Sequence, residues 1–559
     1  MKKLPKGISN YEELIQDGYY YVDKTKYIEK LENLDDKRIM FLRPRKFGKT
    51  LFTSVLENYY DKLKSDKFEK LFSETYIGKN PTSEKNSYCI LKFNFSGIDA
   101  STEESTINGF KREVSTSIDF FAKKYNLDFY TNRQQQAEDI LDDLMKAFGY
   151  QRKKDKIYVI IDEYDHFANE LLGFNTEKFR QLFSRNGKIR KWYEILKKAT
   201  ETVVYRIFIT GVAPITLDSL TSGFNIAKDI TTDEDFNEMV GFSQEELLDL
   251  MNKQEISKES QKNILPIMKE YYDGYRFAMY GENYIYNSNM CLNFLSDYIR
   301  LGKMPKQLVD VNIASDYSKL GKMLDLCEGE EKKKIIEDTV SGRPIVSTLT
   351  EKFNPATQFT EKDLISMLYY LGYLTITGEF LGKPELKIPN LIMKELYTDY
   401  FLNILKNDTN VKLEESGLNT ILEEIAIKGE INNLVYIVEK YLKNLSNRDF
   451  VRFDEKYVKI IFYSILMSLN FFRVKSEMEV NRRYPDILLI PKEGQDKYFG
   501  VIIEFKYLKK DEENNLKEKQ EEAKNQIKEY AEFEEIKMLP KLRKYTAVAV
   551  VDKIYVEEI

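Results

Sequence analysis

The chain has 559 residues, enough for several domains, and 42% of them are hydrophobic, enough for packed cores. Lys and Arg number 85 against 91 Asp and Glu, a net charge of −6, so the chain is not a generally basic nucleic-acid binder and any polyanion site must be a local patch. Three scattered cysteines (Cys89, Cys291, Cys327) argue against a disulfide framework and show no metal-ligand spacing, and any Ser-His or Cys-His catalysis would have to run through the single His166.

The start, Met1-Lys2-Lys3, has no apolar run behind it and does not read as a signal peptide. Helices are expected over Tyr11 to Gln16 and Lys26 to Leu34. Between them lies Tyr19-Tyr20-Tyr21-Val22-Asp23-Lys24-Thr25. This segment either contacts a bound base or caps the fold.

An apolar run from Ile39 to Leu42 then leads into Arg43-Pro44-Arg45-Lys46-Phe47-Gly48-Lys49-Thr50, and a helical run follows from Leu51 to Tyr60. Strand, tight turn, Gly-Lys-Thr and helix make the layout of a phosphate-binding loop. Backbone N–H groups at the helix start would cradle phosphates, Lys49 would neutralise the β- and γ-phosphates, and the Thr50 hydroxyl would hold Mg²⁺. The usual loop has a glycine five residues before Gly48, where this chain has Arg43. Read alone, the stretch could also be an ordinary helix start after a strand.

Cys89 to Phe95 reads as a further strand, and a long polar helical stretch runs from Ser101 to Phe148. Ile157 to Ile161 is β-branched and apolar, the signature of a buried parallel strand. It ends in Asp162-Glu163-Tyr164-Asp165, at the strand end where α/β sheets bind ligands. Asp162 would hold Mg²⁺ through water, and Glu163 would polarise the attacking water. Tyr205 to Ile209 ends in Thr210-Gly211, where Thr210 can reach a γ-phosphate. Strands alternating with helices predict a parallel α/β sheet. His166 either faces the nucleotide or is an ordinary loop histidine.

From Asp233 to Arg300 the spacing is helical and predicts a lid. Within it, Tyr272-Asp273-Gly274-Tyr275 reads as a packed turn, with Gly274 supplying a special backbone angle. Residues 360–404 read as helix, hairpin, helix, a winged-helix-like module open to either DNA contact or a packing role. Residues 405–445 read as a charged helical connector.

Residues 449–559 read as a separate α/β domain: an amphipathic helix from Tyr457 to Leu469, strands over Phe471 to Val480, Asp486 to Ile490 and Tyr498 to Phe505, a charged helix from Asn515 to Phe533, and a final strand from Tyr545 to Val551. The run from Ile460 to Phe472 is too short to span a bilayer, so a soluble cytoplasmic protein is expected. Asp486 opens one strand, and Glu504-Phe505-Lys506 ends the next. Period two puts Glu504 and Lys506 on one face. Asp486 and Glu504, helped by the Phe505 carbonyl, make an oxygen site suited to Mg²⁺, and Lys506 can orient or activate a water for attack on a phosphodiester. The alternative is an amphipathic hairpin with ordinary surface charges.

The ordered motifs resemble a bacterial AAA-ATPase-like family with a C-terminal PD-(D/E)XK nuclease-like domain. They are Leu4-Pro5-Lys6-Gly7-Ile8, Tyr21-Val22-Asp23-Lys24-Thr25, the loop from Arg43 to Thr50, Ile161-Asp162-Glu163-Tyr164-Asp165, Gly241-Phe242-Ser243, Tyr272-Asp273-Gly274-Tyr275 with Phe277, Tyr286-Asn287-Ser288, and Pro485-Asp486 with Glu504-Phe505-Lys506. The loop without its first glycine is itself a feature of that family.

The resemblance implies an α/β fold: a P-loop NTPase parallel sheet (1–232), a helical lid and connector (233–359), a winged-helix-like module with a helical linker (360–445), and a restriction-endonuclease-like α/β domain (446–559). It implies ATP held by Arg45, Phe47, Gly48, Lys49, Thr50, Leu51, Asp162 and Thr210, with Glu163 catalytic and Mg²⁺ at Thr50 and Asp162. It implies a second Mg²⁺ or Mn²⁺ at Glu479, Asp486 and Glu504, with Lys506 catalytic. Glu477 competes with Glu479 for its role, and Gln526 with Tyr530 matches the helix beside the site. The family usually carries Gly-Arg ahead of the aspartate, where this chain has Asn481-Arg482-Arg483-Tyr484-Pro485. The expected function is an ATP-driven nuclease acting on DNA or RNA. The rival is a nucleotide-dependent nucleic-acid-binding switch or scaffold without cleavage. No membrane partner is expected, and a homo-oligomer is one expectation because such ATPases often assemble into rings.

Overall fold

The structure, a computed structural model, describes all residues except 1, 167–187, 215–225, 306–307, 309–319, 325–329, 354–358, 412, 446–453, 470, 476–484, 493–496, 531–533, 538 and 540. The chain packs into two compact units, Met1–Glu328 with Val346–Leu391, and Gly329–Ile345 with Ile392–Ile559. Each is described by itself.

In the first unit, β1 (Arg38–Leu42), β2 (Cys89–Asn94), β3 (Ile157–Asp162), β4 (Val204–Gly211) and β5 (Lys228–Asp229) form a sheet of order β2-β3-β4-β1-β5. Every pairing in it is parallel. All six residues of β3 are buried, which is why its sequence is a continuous β-branched run rather than an alternating one. Register places Leu42 beside Gly211 and Ile161 beside Ile209, so the C-terminal ends of β1, β3 and β4 form one edge. The three motifs read from sequence all lie at that edge.

Helices cover the sheet. α1 (Tyr11–Gln16) and α2 (Lys26–Glu32) precede β1, and α3 (Lys49–Tyr60) follows it. α4 (Glu103–Lys124) begins with a capping box between Thr102 and Ser105, and α5 (Ala137–Gln151) and α6 (Lys188–Ala199) come after. The single tryptophan, Trp192 of α6, meets Phe93, Phe95 and Phe110 edge-on, tying that helix to β2 and α4.

The predicted lid is helical: α7 (Gln244–Lys253), α8 (Lys258–Tyr272) and α9 (Ser288–Leu301). Gly274 has φ +93°, and a Cβ there would lie 1.9 Å from the Pro389 carbonyl oxygen, so the turn needs glycine for both angle and space.

The predicted order helix, hairpin, helix is present. α10 (Glu361–Tyr370) leads to β7 (Thr375–Phe380) and β8 (Lys383–Lys387), and β6 (Ile345–Val346) completes a three-stranded sheet of order β6-β8-β7. The hairpin starts at Thr375 rather than at Gly372, because Gly372 turns with φ +83°. The helix after it, Leu391–Thr409, belongs from Ile392 onward to the second unit.

In the second unit, β9 (Phe472–Lys475), β10 (Ile487–Pro491), β11 (Gly500–Leu508), β12 (Leu542–Val550) and β13 (Lys553–Glu558) form a sheet of order β13-β12-β11-β10-β9. Only the β11–β12 pair is parallel among these. α11 (Glu455–Ser468) and α12 (Leu516–Tyr530) flank it. Ile527 and Tyr530 of α12 pack with Leu488 and Ile502 in one buried cluster. The helix Asn432–Asn444, expected as part of a connector, packs within this unit and its Glu439 accepts the Ile554 N–H at 2.8 Å.

Two differences from expectation stand out in this sheet, and a third expectation is tested only in part. The strand holding Glu504 runs on to Leu508, so Lys506 lies inside it rather than past its end. The last strand is a hairpin of two, β12 and β13. The strand expected over Phe471 to Val480 is described only as Phe472–Lys475, with 476–480 outside the described residues.

Candidate functional site

The loop after β1 turns through Lys46 (φ +67°) and Gly48 (φ +101°). Gly48 caps α3 in the left-handed region, where glycine pays no Cβ penalty. The first N–H groups of α3 lack partners inside the helix and carry its positive dipole end, so this turn presents donors to an anion. Lys49 is buried. Its Nζ donates to the Pro44 carbonyl at 3.1 Å and lies 4.0 Å from Glu163 Oε1.

Asp162 is fully buried at the end of β3. Neither carboxylate oxygen meets a hydrogen-bond donor among the described residues. Burial, then the charge of Glu163, raises its pKa, while Lys49, Lys92 and the nearby Thr50 hydroxyl pull it back. Two orphaned carboxylate oxygens beside a hydroxyl on a helix start fit a hydrated Mg²⁺. Glu163 follows with φ +53°, a strained angle for a non-glycine residue, and its side chain is partly exposed. The Thr210 hydroxyl at the end of β4 is buried, also without a hydrogen-bond partner among the described residues.

Asp165 has a different task. It accepts the backbone N–H groups of Val212 and Ala213, and a Cβ on Gly211 would lie 2.1 Å from its Oδ1. It therefore ties the β3 exit to the β4 exit. His166 closes the same turn, donating its N–H to the Glu163 carbonyl at 3.2 Å.

Arg43, which stands where the usual loop has a glycine, points away from the loop's phosphate-facing turn. Its guanidinium is buried and donates to the carbonyls of Leu42 (2.8 Å), Thr231 (2.7 Å) and Phe236 (2.8 Å). It stacks over the Phe41 and Phe277 rings at 4.3 and 4.2 Å. Burial lowers its pKa to about 10, which leaves it a cation at neutral pH. The residue that replaces the usual glycine thus staples the loop to residues 231–236 and to the lid. Arg45 and Leu51 are half-buried at the loop, whereas the Phe47 ring is buried edge-on against Tyr275 and Phe277.

The lid motifs grip this loop. Gly241 N–H donates to the Phe47 carbonyl at 2.9 Å, and Asn289 N–H, in the first turn of α9, donates to the Lys46 carbonyl at 3.3 Å. Gly372 brings its backbone against the Pro44 ring, where a Cβ would lie 2.9 Å from Pro44 Cγ. Beside Gly48 and Leu51 opens an apolar cleft lined by Tyr21, Val22, Met239, Val240, Phe242 and Leu292.

In the second unit, β10 and β11 bring Asp486 and Glu504 together. Asp486 N–H donates to Glu504 Oε2 at 3.2 Å, and Phe505 N–H donates to Asp486 Oδ2 at 2.6 Å. Lys506 Nζ lies 3.4 Å from Glu504 Oε1. All three side chains are buried. Burial raises the pKa of both carboxyls, and the neighbouring Asp486 raises that of Glu504 further. Two buried carboxylates repelling each other are the donor chemistry of a divalent-cation site. Glu479, Glu477 and 481–484 lie outside the described residues, and among the described residues no group of three or more His, Cys, Asp or Glu is placed to hold a metal.

Comparison with known proteins identifies two domains. Residues 5–221 match the family model described as "Predicted AAA-ATPase", and residues 453–558 match the PD-(D/E)XK nuclease superfamily. The chain joins an AAA-ATPase-like domain to a PD-(D/E)XK nuclease-like domain. A curated relative, the "uncharacterized protein in vnfD 5'region" of Azotobacter chroococcum mcd 1, is 26% identical over 250 residues, 44% of this chain and 43% of that protein. A solved STAND protein with a tetratricopeptide repeat sensor, from Pyrococcus horikoshii, aligns with 84% of this chain and 58% of its own at 11% identity and a TM-score of 0.24. The chain thus spans less than two thirds of either protein. Among the described residues, no helix is long and apolar enough to cross a membrane.

Sequence reasoning missed one residue of the nuclease-like domain. Lys459 of α11 forms an ion pair with Asp486 Oδ1. The available signal was a lysine between Val458 and Ile460 in a helix whose residues from Ile460 to Met467 are all buried. In the same domain the Gln526 side-chain oxygen of α12 is buried without a hydrogen-bond partner among the described residues.

Proposed function

We propose that the AAA-ATPase-like domain binds and hydrolyses ATP, and that this turnover governs metal-dependent cleavage of DNA or RNA phosphodiesters by the nuclease-like domain. One observation carries the reading: each unit buries a carboxylate on a sheet strand with a lysine beside it, Asp162 at the end of β3 near Lys49 and Glu504 within β11 near Lys506.

In this reading the first turn of α3, with Gly48, Lys49 and Arg45, binds the phosphates. Phe47 and Leu51 border the cleft that takes the base. Thr50 and Asp162 hold Mg²⁺, Glu163 orients the attacking water, and Thr210 reaches the γ-phosphate. In the nuclease-like domain Asp486, Glu504, the Phe505 carbonyl and Glu479 hold Mg²⁺ or Mn²⁺, and Lys506 orients the attacking water. A bound divalent metal supplies Lewis-acid polarisation of a phosphoryl oxygen. The contact of Gly372, in the turn between α10 and β7, with Pro44 supports coupling of the helix-hairpin segment to the phosphate loop.

Glu163→Gln is expected to keep ATP bound while phosphate release falls at least about a hundredfold. Unchanged release contradicts hydrolysis at this site. The rival, a nucleic-acid-binding switch without cleavage, is favoured by the Lys459–Asp486 pair, which already balances one of the two carboxylates.

A further inference from the structure

We propose that Lys459 is a resident cation that competes with divalent metal for Asp486, so that the nuclease-like centre loads metal only when this side chain is withdrawn. The inference rests on the metal reading of Asp486 and Glu504.

Lys459 projects from a helix that is otherwise buried from Ile460 to Met467. A lysine in such a place is retained only when its charge is paired. Its ammonium bonds to Asp486 Oδ1, and its side chain is 15% exposed against 3% for Asp486. The other oxygen of Asp486, Oδ2, already accepts the Phe505 N–H. Oδ1 is therefore the oxygen best placed to take a cation, and Lys459 holds it.

The charges point the same way. Asp486 and Glu504 carry two negative charges when ionised, and Lys459 and Lys506 supply two positive ones. A divalent ion entering this set meets two ammonium groups beside the two carboxylates and gains most when one ammonium leaves.

The fold also gives Lys459 somewhere to go. Glu455, one turn earlier on α11, lies 2.8 Å from its Nζ and is 36% exposed. Lys459 is thus shared between a buried partner and a solvent-facing one. Rotation about its side-chain bonds toward Glu455 withdraws the charge from Asp486 without moving the helix.

The test uses the full chain without nucleotide or nucleic acid, and Mn²⁺ as the probe, followed by calorimetry and by the electron paramagnetic resonance of free Mn²⁺. Binding lost in Asp486→Asn defines the site. Lys459→Met, and Lys459→Gln as a second variant that keeps polarity without charge, are expected to bind Mn²⁺ there at least about tenfold more tightly than wild type. Glu455→Gln removes the solvent-facing partner and is expected to bind about threefold more weakly. Equal or weaker binding in both Lys459 variants overturns the competition while leaving the metal reading intact. The lack of any Asp486-dependent binding in wild type and in both Lys459 variants overturns the metal reading and the competition with it.

Discussion

The Lys24 ammonium lies 2.6 Å from Glu246 Oε2, joining the segment ahead of β1 to the first helix of the lid. Lys24 also donates to the Glu238 carbonyl at 2.9 Å, and Glu246 accepts the Ser243 N–H that opens α7. Two family motifs, Val22-Asp23-Lys24-Thr25 and Gly241-Phe242-Ser243, are thus halves of one joint. Lys24→Met leaves Glu246 without its counter-charge in a largely buried position and should cost about 3 kcal/mol in denaturant unfolding. Adding Glu246→Gln should recover part of that loss, because the two residues act as a pair.

Arg43→Gly restores the glycine that phosphate loops usually carry, and it should nevertheless harm the protein. It deletes a buried guanidinium bonded to three carbonyls and stacked on two rings. A loss of about 3 kcal/mol is expected. ATP should then raise the melting temperature less than it does in wild type. A variant that melts like wild type and responds fully to ATP would sink the staple.

Gly274→Ala places a Cβ 1.9 Å from the Pro389 carbonyl oxygen at φ +93°. The strained angle and the clash together should cost more than about 3 kcal/mol. Thermal unfolding of the full chain reads it directly, and an unchanged melting temperature contradicts the close approach.

Burial raises the Asp273 carboxyl from its ordinary 3.8 to about 6. The fold therefore binds this proton more tightly than the unfolded chain does. The stability it contributes is complete below pH about 4 and is lost as pH rises through about 6. Asp273→Asn removes that titration. The stability of wild type relative to Asp273→Asn should fall by up to about 3 kcal/mol between pH 4 and pH 7.

Local pattern made much of this legible. β1, β3 and β4 announce themselves as apolar runs closed by Gly-Lys-Thr, Asp-Glu and Thr-Gly, because a buried parallel strand needs both faces apolar and the sheet edge collects polar ends. β13 escaped because its turn runs through Val551 at φ +57° and Asp552, without the Gly or Asn that usually marks a hairpin. Lys506 was placed past a strand end because nothing in its neighbours marks where pairing with β12 stops at Leu508. Arg43 and Lys459 were illegible for a different reason. Each is positioned by partners distant in sequence, Phe277 and Thr231 for one and Asp486 for the other.

Nucleic-acid cleavage by the full chain tests the central claim most directly. Single- and double-stranded DNA and RNA are incubated with the protein and Mg²⁺ or Mn²⁺, with and without ATP, beside Lys506→Ala and Lys49→Ala. The account predicts metal-dependent cleavage that Lys506→Ala abolishes and whose response to ATP Lys49→Ala removes. Cleavage that survives Lys506→Ala, or its lack under every condition while ATP is still hydrolysed, would contradict the account.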